Sequence, residues 1–508
     1  MTDISRRDFL KLLPALPFFK VAWPYVETAV HPHPQTQNSG QPNILVLVFD
    51  TLSARHLSMF GYQRETTPNI ARFADKATVF HNHTASANFT SPGTASMLTG
   101  THPWTHRAFH LHDLIRQDMA SHNIFNVLPD NYYKAAYSHN LLVMSLLHQF
   151  REAIDAFTPT RELCLADGQL ADRLFYEDYT PAYWGESTIL RHNATPPGTL
   201  FLSTADRLMR FANKNQVTEA YGDLYPRGIP NLHSLFFILE DAIDWIGAQV
   251  AEMSRPYFSY FHLLPPHEPY TTHRDFINKF KDGWQPAEKE KRFGSHKVDQ
   301  GNLNEERRLY DEYLAFTDAE FGRLINNLEQ DGLLDNTYLI LTSDHGELFE
   351  RGIRGHVTAT LWDPITHVPL FIRAPGQTKR TDVFTRTSAV DLLPTIAHLT
   401  AQPVPDWAEG QILPTMNNDL AAASERDIWT MEAKSNAKMA PLTKASLALF
   451  QDEYKLVHYF GYSKEDEFQM YNLADDPEEL TDIVNSESVV AAAMKQTLLQ
   501  KLEEVNQR

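Results

Sequence analysis

Apolar residues fall in short, dense runs, separated by polar stretches marked by proline. Ile44-Leu45-Val46-Leu47-Val48-Phe49 is unbroken, β-branched and closed by Asp50. An apolar run with no alternation is buried on both faces, as an interior strand of a parallel sheet must be. Tyr257–His262, Thr337–Thr342 and Val368–Ile372 are further runs of this type. Between them, Asn304–Gln330 repeats at helical spacing, with Tyr310, Tyr313, Leu314, Phe321 and Leu324 near one face. Thr67-Pro68-Asn69-Ile70-Ala71 starts another helix, with proline at its first position. Strands alternating with helices predict an α/β sandwich: a central, mostly parallel sheet flanked by helices.

The pattern changes toward the end. Leu447–Phe450 and Tyr454–Tyr459 flank a short polar turn and predict a hairpin. Phe468–Leu473 adds a strand and Ser488–Glu504 a helix. Residues 403–508 therefore read as a small antiparallel α+β subdomain, and 42–402 as the main α/β body. Within the body, Arg151–Leu232 is less regular and rich in Tyr and Pro. It reads as an insertion that shapes a pocket.

Composition narrows the choices. The 508 residues are 43% hydrophobic and 21% charged, as in soluble globular proteins. A net charge of −19 argues against nucleic acid as a partner. An anionic ester substrate then needs a local positive centre, such as a metal. The single cysteine, Cys164, excludes an internal disulfide. Ser5-Arg6-Arg7-Asp8-Phe9-Leu10-Lys11 reads as a twin-arginine export signal, followed by a short apolar stretch to Ala22. With the polar linker His31–Gln41, residues 1–41 are expected to engage the twin-arginine machinery and direct the chain to the periplasm or outside the cell. The leader is either cleaved near Ala29 or retained. No later run reaches the roughly 18 apolar residues of a spanning helix.

Four residues suggest chemistry. Asp50, Thr90, Asp344 and His345 each follow a predicted strand or open a predicted helix. Ligands of open α/β sheets collect at the carboxyl ends of strands. Three oxygens and an imidazole suit one divalent cation, with Ca, Mg, Mn and Zn all open. Thr90 opens Thr90-Ser91-Pro92-Gly93-Thr94-Ala95-Ser96-Met97 and is expected to cap a helix. A hydroxyl there, beside a metal and a helix N-terminus, is a candidate nucleophile toward a tetrahedral anion. His267, in Pro265-Pro266-His267-Glu268-Pro269-Tyr270, and His356, in Arg354-Gly355-His356, are candidates to bind the transferred group or to protonate the leaving group. His106, Lys134 and His139 are weaker candidates.

These motifs together resemble the sulfatase-like hydrolases of the alkaline phosphatase superfamily. The resemblance runs from Asn43 to about Val484. It takes in Asp50-Thr51-Leu52, Phe60-Gly61-Tyr62, Thr66-Thr67-Pro68-Asn69, the run from Thr90 to Gly100, His267-Glu268-Pro269-Tyr270, Ser343-Asp344-His345-Gly346-Glu347, Val368-Pro369-Leu370, Asp391-Leu392-Leu393-Pro394-Thr395, and Tyr471-Asn472-Leu473 to Asp476-Pro477. It implies one metal held by Asp50, Thr90, Asp344 and His345, with Thr90 as nucleophile.

Departures from the family pattern are informative. Sulfatases carry Cys or Ser at the position of Thr90 and oxidise it to formylglycine, which Thr cannot become. Thr51 replaces a second acidic ligand, and His345 stands where many sulfatases have Asn. Thr94 replaces an expected Arg, and the sulfate-contacting Lys and His are not evident at Ser138-His139-Asn140. The pattern is nearer to phosphonate monoester hydrolases and phosphodiesterase-like members. The expectation is an exported hydrolase of phosphate mono- or diesters or phosphonate esters. The alternatives are a sulfatase working without formylglycine, a silent metal-containing binding protein, and a phosphoethanolamine-type transferase.

Overall fold

A computed structural model describes residues 40–167, 200–232, 235–295, 298–416 and 426–507. The expected export signal at Ser5–Lys11 lies outside them. Eight strands build the central sheet: β1 (Asn43–Phe49), β2 (Thr78–Phe80), β3 (Tyr133–Ser138), β4 (Ala156–Phe157), β5 (Tyr257–Leu263), β6 (Thr337–Thr342), β7 (Leu370–Arg373) and β8 (Thr381–Val383). Their order is β8-β2-β7-β6-β1-β5-β3-β4. Strands β6, β1, β5, β3 and β4 are parallel, and β7 runs against its neighbours.

β1 is buried along its whole length. Leu45, Leu47 and Phe49 enter one core with Ile70 and Phe73 of α1 (Pro68–Ala74). Ile44, Val46 and Val48 enter the opposite core with Ala95, Met97 and Leu98 of α2 (Thr90–Thr99) and Val143, Leu146 and Leu147 of α3 (Leu141–Gln149). The period of two in a strand sends alternate residues to opposite faces, so covering both faces requires the unbroken apolar run.

The region expected to be irregular contains α4 (Leu200–Tyr221), a helix of 22 residues. Its sequence has no Gly or Pro and consists largely of good helix formers, a propensity that the tyrosines and prolines on either side obscured. Ala156–Phe157, also within that region, pairs with Ala135–Ala136 as the sheet edge.

Two more helices, α5 (Leu239–Glu252) and α6 (Gln300–Gln330), cover the α1 face. All five residues expected on one side of α6 lie in that core. α6 also caps α1. The Thr67 side chain makes no capping bond. Instead, the Asp318 carboxylate accepts from the Asn69 N–H, the Asn69 amide and the Ile70 N–H at 2.7–3.0 Å. Gly322, one turn further along, leaves room for Asn69: a methyl there would lie 2.3 Å from Asn69 Oδ1.

α7 (Leu392–Leu399) completes the second layer. The C-terminal part is a four-stranded antiparallel sheet, β9 (Ile428–Glu432), β10 (Ala445–Gln451), β11 (Tyr454–Phe460) and β12 (Glu467–Asn472), packed by α8 (Ser488–Gln507). The expected hairpin is β10–β11, turning at Asp452 with φ 49°. β9 was not foreseen. No described helix is long and apolar enough to cross a membrane.

Asp318 should make the stability of the fold depend on pH. Burial pushes its carboxyl up to about 6, against the three N–H donors that pull it down. An acid whose pKa is higher folded than unfolded binds its proton more tightly in the native state. Its stabilising contribution is whole below about 3.8 and fades as pH rises through about 6. Between about pH 4 and about pH 7, the unfolding free energy of the native chain should fall relative to that of Asp318→Asn. Urea unfolding at each pH reads this, and parallel pH profiles would refute it.

Candidate active site

The parallel strands deliver their polar residues to one edge. Asp50 follows β1, His262 is the penultimate residue of β5, Asn140 follows β3, and Asp344 and His345 follow β6. Parallel registry keeps them level: Val48 lies opposite both His262 and Thr342, and Ser138 lies opposite His262. All five are buried.

One oxygen of Asp50 is held. Its Oδ2 accepts from the Asn140 amide at 2.6 Å and lies 3.3 Å from His262 Nε2. Its Oδ1 has no hydrogen-bond partner, and neither has Asp344 Oδ2. His345 Nε2 lies 3.5 Å from both free oxygens and 3.3 Å from Thr90 Oγ1. The Nδ1–H of His345 is spent on the Gly346 carbonyl at 3.0 Å, which leaves the Nε2 lone pair facing the oxygens.

Donor atoms of Asp50, Asp344 and His345 lie within 4.8 Å of one another. Two buried, unpartnered carboxylate oxygens and an imidazole nitrogen facing them are the donor set of a divalent cation, so these residues fit the metal expected from the sequence. Charges follow the same geometry. Burial works to raise the Asp50 carboxyl, but His267, His262 and His345 overcome it and leave it below its ordinary value. Burial and the Asp50 charge push Asp344 up, and burial pushes His345 down.

Thr90 differs from expectation in one respect. It is not the helix cap. Phe89 occupies that position in an extended conformation, and Thr90 is the first residue of α2. Its hydroxyl is therefore not used on the helix backbone and turns toward His345 Nε2. The first intrahelical donor is the Gly93 N–H, bonded to Phe89 O. The helix end thus brings N–H groups of its own beside the hydroxyl. Gly93 permits this approach, since a methyl there would lie 2.6 Å from the Asp344 carbonyl oxygen.

His356 and His267 sit together, with ring centroids 5.1 Å apart, and the His356 ring is 4.4 Å from that of His345. His356 Nδ1 is held by Glu347 Oε1 at 3.0 Å. Burial opposes its protonation, but the charge and hydrogen bond of Glu347 push His356 up to about 9. The His267 Nδ1–H is spent on the Glu268 carbonyl at 2.7 Å.

The weaker candidates take other places. His106 uses both nitrogens inside the fold, with Ser96 Oγ and the Ala108 N–H. Lys134 lies near the start of β3, at the strand end away from Asp50. His139 is buried and stacks on Phe237 at 4.2 Å, and burial drives its pKa down to about 3. Sequence reasoning missed His262 and Asn140. The signal for His262 was a histidine near the end of an otherwise apolar strand. Asn140 left only the trace of a helix cap, its Oδ1 accepting from the Leu142 N–H.

Together, the α/β sandwich and the buried oxygen–imidazole cluster facing a helix-end hydroxyl form the site of a hydrolase. The chain belongs to the sulfatase family, whose profile matches residues 42–402. A second profile, that of the N-sulphoglucosamine sulphohydrolase C-terminal region, matches residues 358–508. The ulvan-active sulfatase of Formosa agariphila is 24% identical over 413 residues, covering 78% of this chain and 69% of the relative. The choline-sulfatase of Rhizobium meliloti is 24% identical over 473 residues, covering 88% and 83%. Among solved structures, the phosphonate monoester hydrolase of Silicibacter pomeroyi superposes with a TM-score of 0.63 at 18% identity, covering 91% of this chain and 96% of the other. The fold is thus shared between sulfatases and phosphonate monoester hydrolases.

Two variants probe this geometry. Asn140→Ala frees Asp50 Oδ2 and should weaken binding of Mn²⁺ or Ca²⁺ by about 10–100-fold in titration calorimetry. Unchanged affinity would show that the amide does not orient Asp50. Gly93→Ala overpacks the contact between α2 and Asp344. It should cost about 1–3 kcal/mol of stability and lower metal affinity as well. A variant with native melting and native affinity would contradict the close approach.

Proposed function

We propose that this chain hydrolyses phosphodiesters or phosphonate monoesters, with Thr90 as nucleophile. The observation that carries this reading is the Thr90 hydroxyl, free of helix capping and 3.3 Å from His345 Nε2 within the buried ligand cluster. A divalent cation held by Asp50, Asp344, His345 and Thr90 would lower the pKa of the hydroxyl and offset developing negative charge. The chain's own groups do the rest. Thr90 Oγ1 attacks phosphorus in line and the ester oxygen leaves with a proton. His356 and His267 face the same space, with Nδ1 of each already engaged, so their Nε2 atoms are available to the transferred group or the departing oxygen. Water then attacks phosphorus of the phospho-threonine and returns the hydroxyl.

One feature favours phosphorus over sulfur, and another narrows the choice of phosphorus ester. A formylglycine hydrate expels sulfate with its second hydroxyl, and a threonine sulfate has none. Thr94 and Asn140 are neutral, which suits a diester or phosphonate monoester, with one negative charge at the reacting centre, over a phosphate monoester with nearly two. The sulfatase relatives favour a second reading, a sulfatase that works without formylglycine. On the first reading the natural route is export through the twin-arginine signal. Residues 42–402 would carry the chemistry, 151–232 would shape the pocket, and 403–508 would form its C-terminal wall.

Assays on bis-nitrophenyl phosphate, nitrophenyl phenylphosphonate, nitrophenyl phosphate and nitrophenyl sulfate, each with Mn²⁺, Ca²⁺, Mg²⁺ and Zn²⁺, separate the readings. Diester or phosphonate turnover should dominate and fall at least about 10³-fold in Thr90→Ala. Release of sulfate alone would sink the phosphoester reading. Metal binding without turnover of any ester would leave a binding protein.

A further inference from the structure

His356 begins a segment with no strand partner, yet its backbone is gripped from two sides. Asn88, fully buried, directs its amide N–H groups to the carbonyls of His356 at 3.0 Å and Thr358 at 2.7 Å, with that of Thr360 at 3.5 Å. The intervening carbonyls face the C-terminal sheet. Lys434 Nζ donates to Val357 O at 3.2 Å, Ser446 Oγ to Ala359 O, and Lys455 Nζ to Leu361 O at 2.5 Å. Lys455 is itself buried against Glu479, which also accepts from the Asp363 N–H at 2.8 Å. Alternate carbonyls thus go to opposite walls. Three surrounding carbonyls fix the orientation of the Asn88 amide, because only its nitrogen can donate to them.

Asn88 lies two residues before Thr90, across the single extended residue Phe89. The chain ahead of it is pinned to the C-terminal sheet, with the Met431 N–H bonded to Ser86 O at 3.0 Å and Ala87 bridged to Met431. One side chain therefore joins the residue that opens α2 to the backbone that carries His356.

We infer that Asn88 is a positioning residue that sets His356 against Thr90, with the C-terminal sheet as the opposing jaw. The inference rests on the role proposed above for His356. A displacement of about 1 Å at a catalytic group costs up to about 100-fold in rate. Neither Asn88 nor the jaw residues ligate the cluster at Asp50.

The test compares Asn88→Ala, His356→Gln and the double variant on the best ester from the panel. It adds hydrogen-exchange mass spectrometry and Mn²⁺ calorimetry. Asn88→Ala should lower kcat/KM by about 10–100-fold, dividing the loss between kcat and KM as His356→Gln does. It should add little to His356→Gln, because residues acting as a unit are not additive. Exchange should rise in peptides spanning His356–Leu361, and Mn²⁺ affinity should hold. If exchange there is unchanged, the clamp is absent. If the two losses multiply in full, or Mn²⁺ affinity falls with activity, Asn88 acts by another route and the inference is overturned. Native turnover in His356→Gln would overturn the role of His356 instead, and exchange would still decide the clamp. If Asn88→Ala does not fold, Ser446→Ala removes the donor to Ala359 from the other wall. It should give the same kinetic division at smaller amplitude, and a native profile would refute the clamp.

Discussion

Two carboxylates buried side by side set the terms for the rest of this structure. Asp50 and Asp344 are wholly shielded from water, and each keeps one oxygen without a hydrogen-bond partner. Burying one such charge unpaired is expensive, and burying two close together more so. A divalent cation resolves the conflict, and the surroundings suit one. His345 is held in the tautomer that can ligate, and Asn140 occupies the Asp50 oxygen that would otherwise compete. The parallel sheet makes the arrangement possible by ending its strands at one level.

Much of this was legible from letters alone. The unbroken run Ile44–Phe49 could only be an interior strand, and the residue ending it had to lie at the ligand edge. Asp344 and His345 followed in the same way from Thr337–Thr342. Thr90 was found by its run of neighbours, but its exact place was not. Threonine is a common cap, and local preference cannot tell a cap from the first helical residue when the bulky Phe89 takes the cap position. His262 and Asn140 were invisible for another reason. Their meaning comes from registry between strands β5, β3 and β1, which joins residues far apart in sequence. The helix Leu200–Tyr221 was hidden by composition, because the tyrosines and prolines around it outweighed its own propensity.

The C-terminal sheet is more than an appendage. Side chains on it, Ser446 and Lys455, and beside it, Lys434 and Glu479, reach the backbone between Val357 and Asp363, and its first strand holds the chain that leads into Thr90. The Thr90 hydroxyl and His356 thus sit on elements that meet through a second, antiparallel sheet. A rigid support of this kind keeps reacting groups in register, which a catalyst working by alignment requires.

The central sheet ends in strands of only two and three residues, Ala156–Phe157 and Thr381–Val383. A long bare edge is a template on which another chain can add a strand. Among the described residues, few backbone groups remain at either margin to serve as such a template. The same truncated margins that limit the sheet also guard it against clumping.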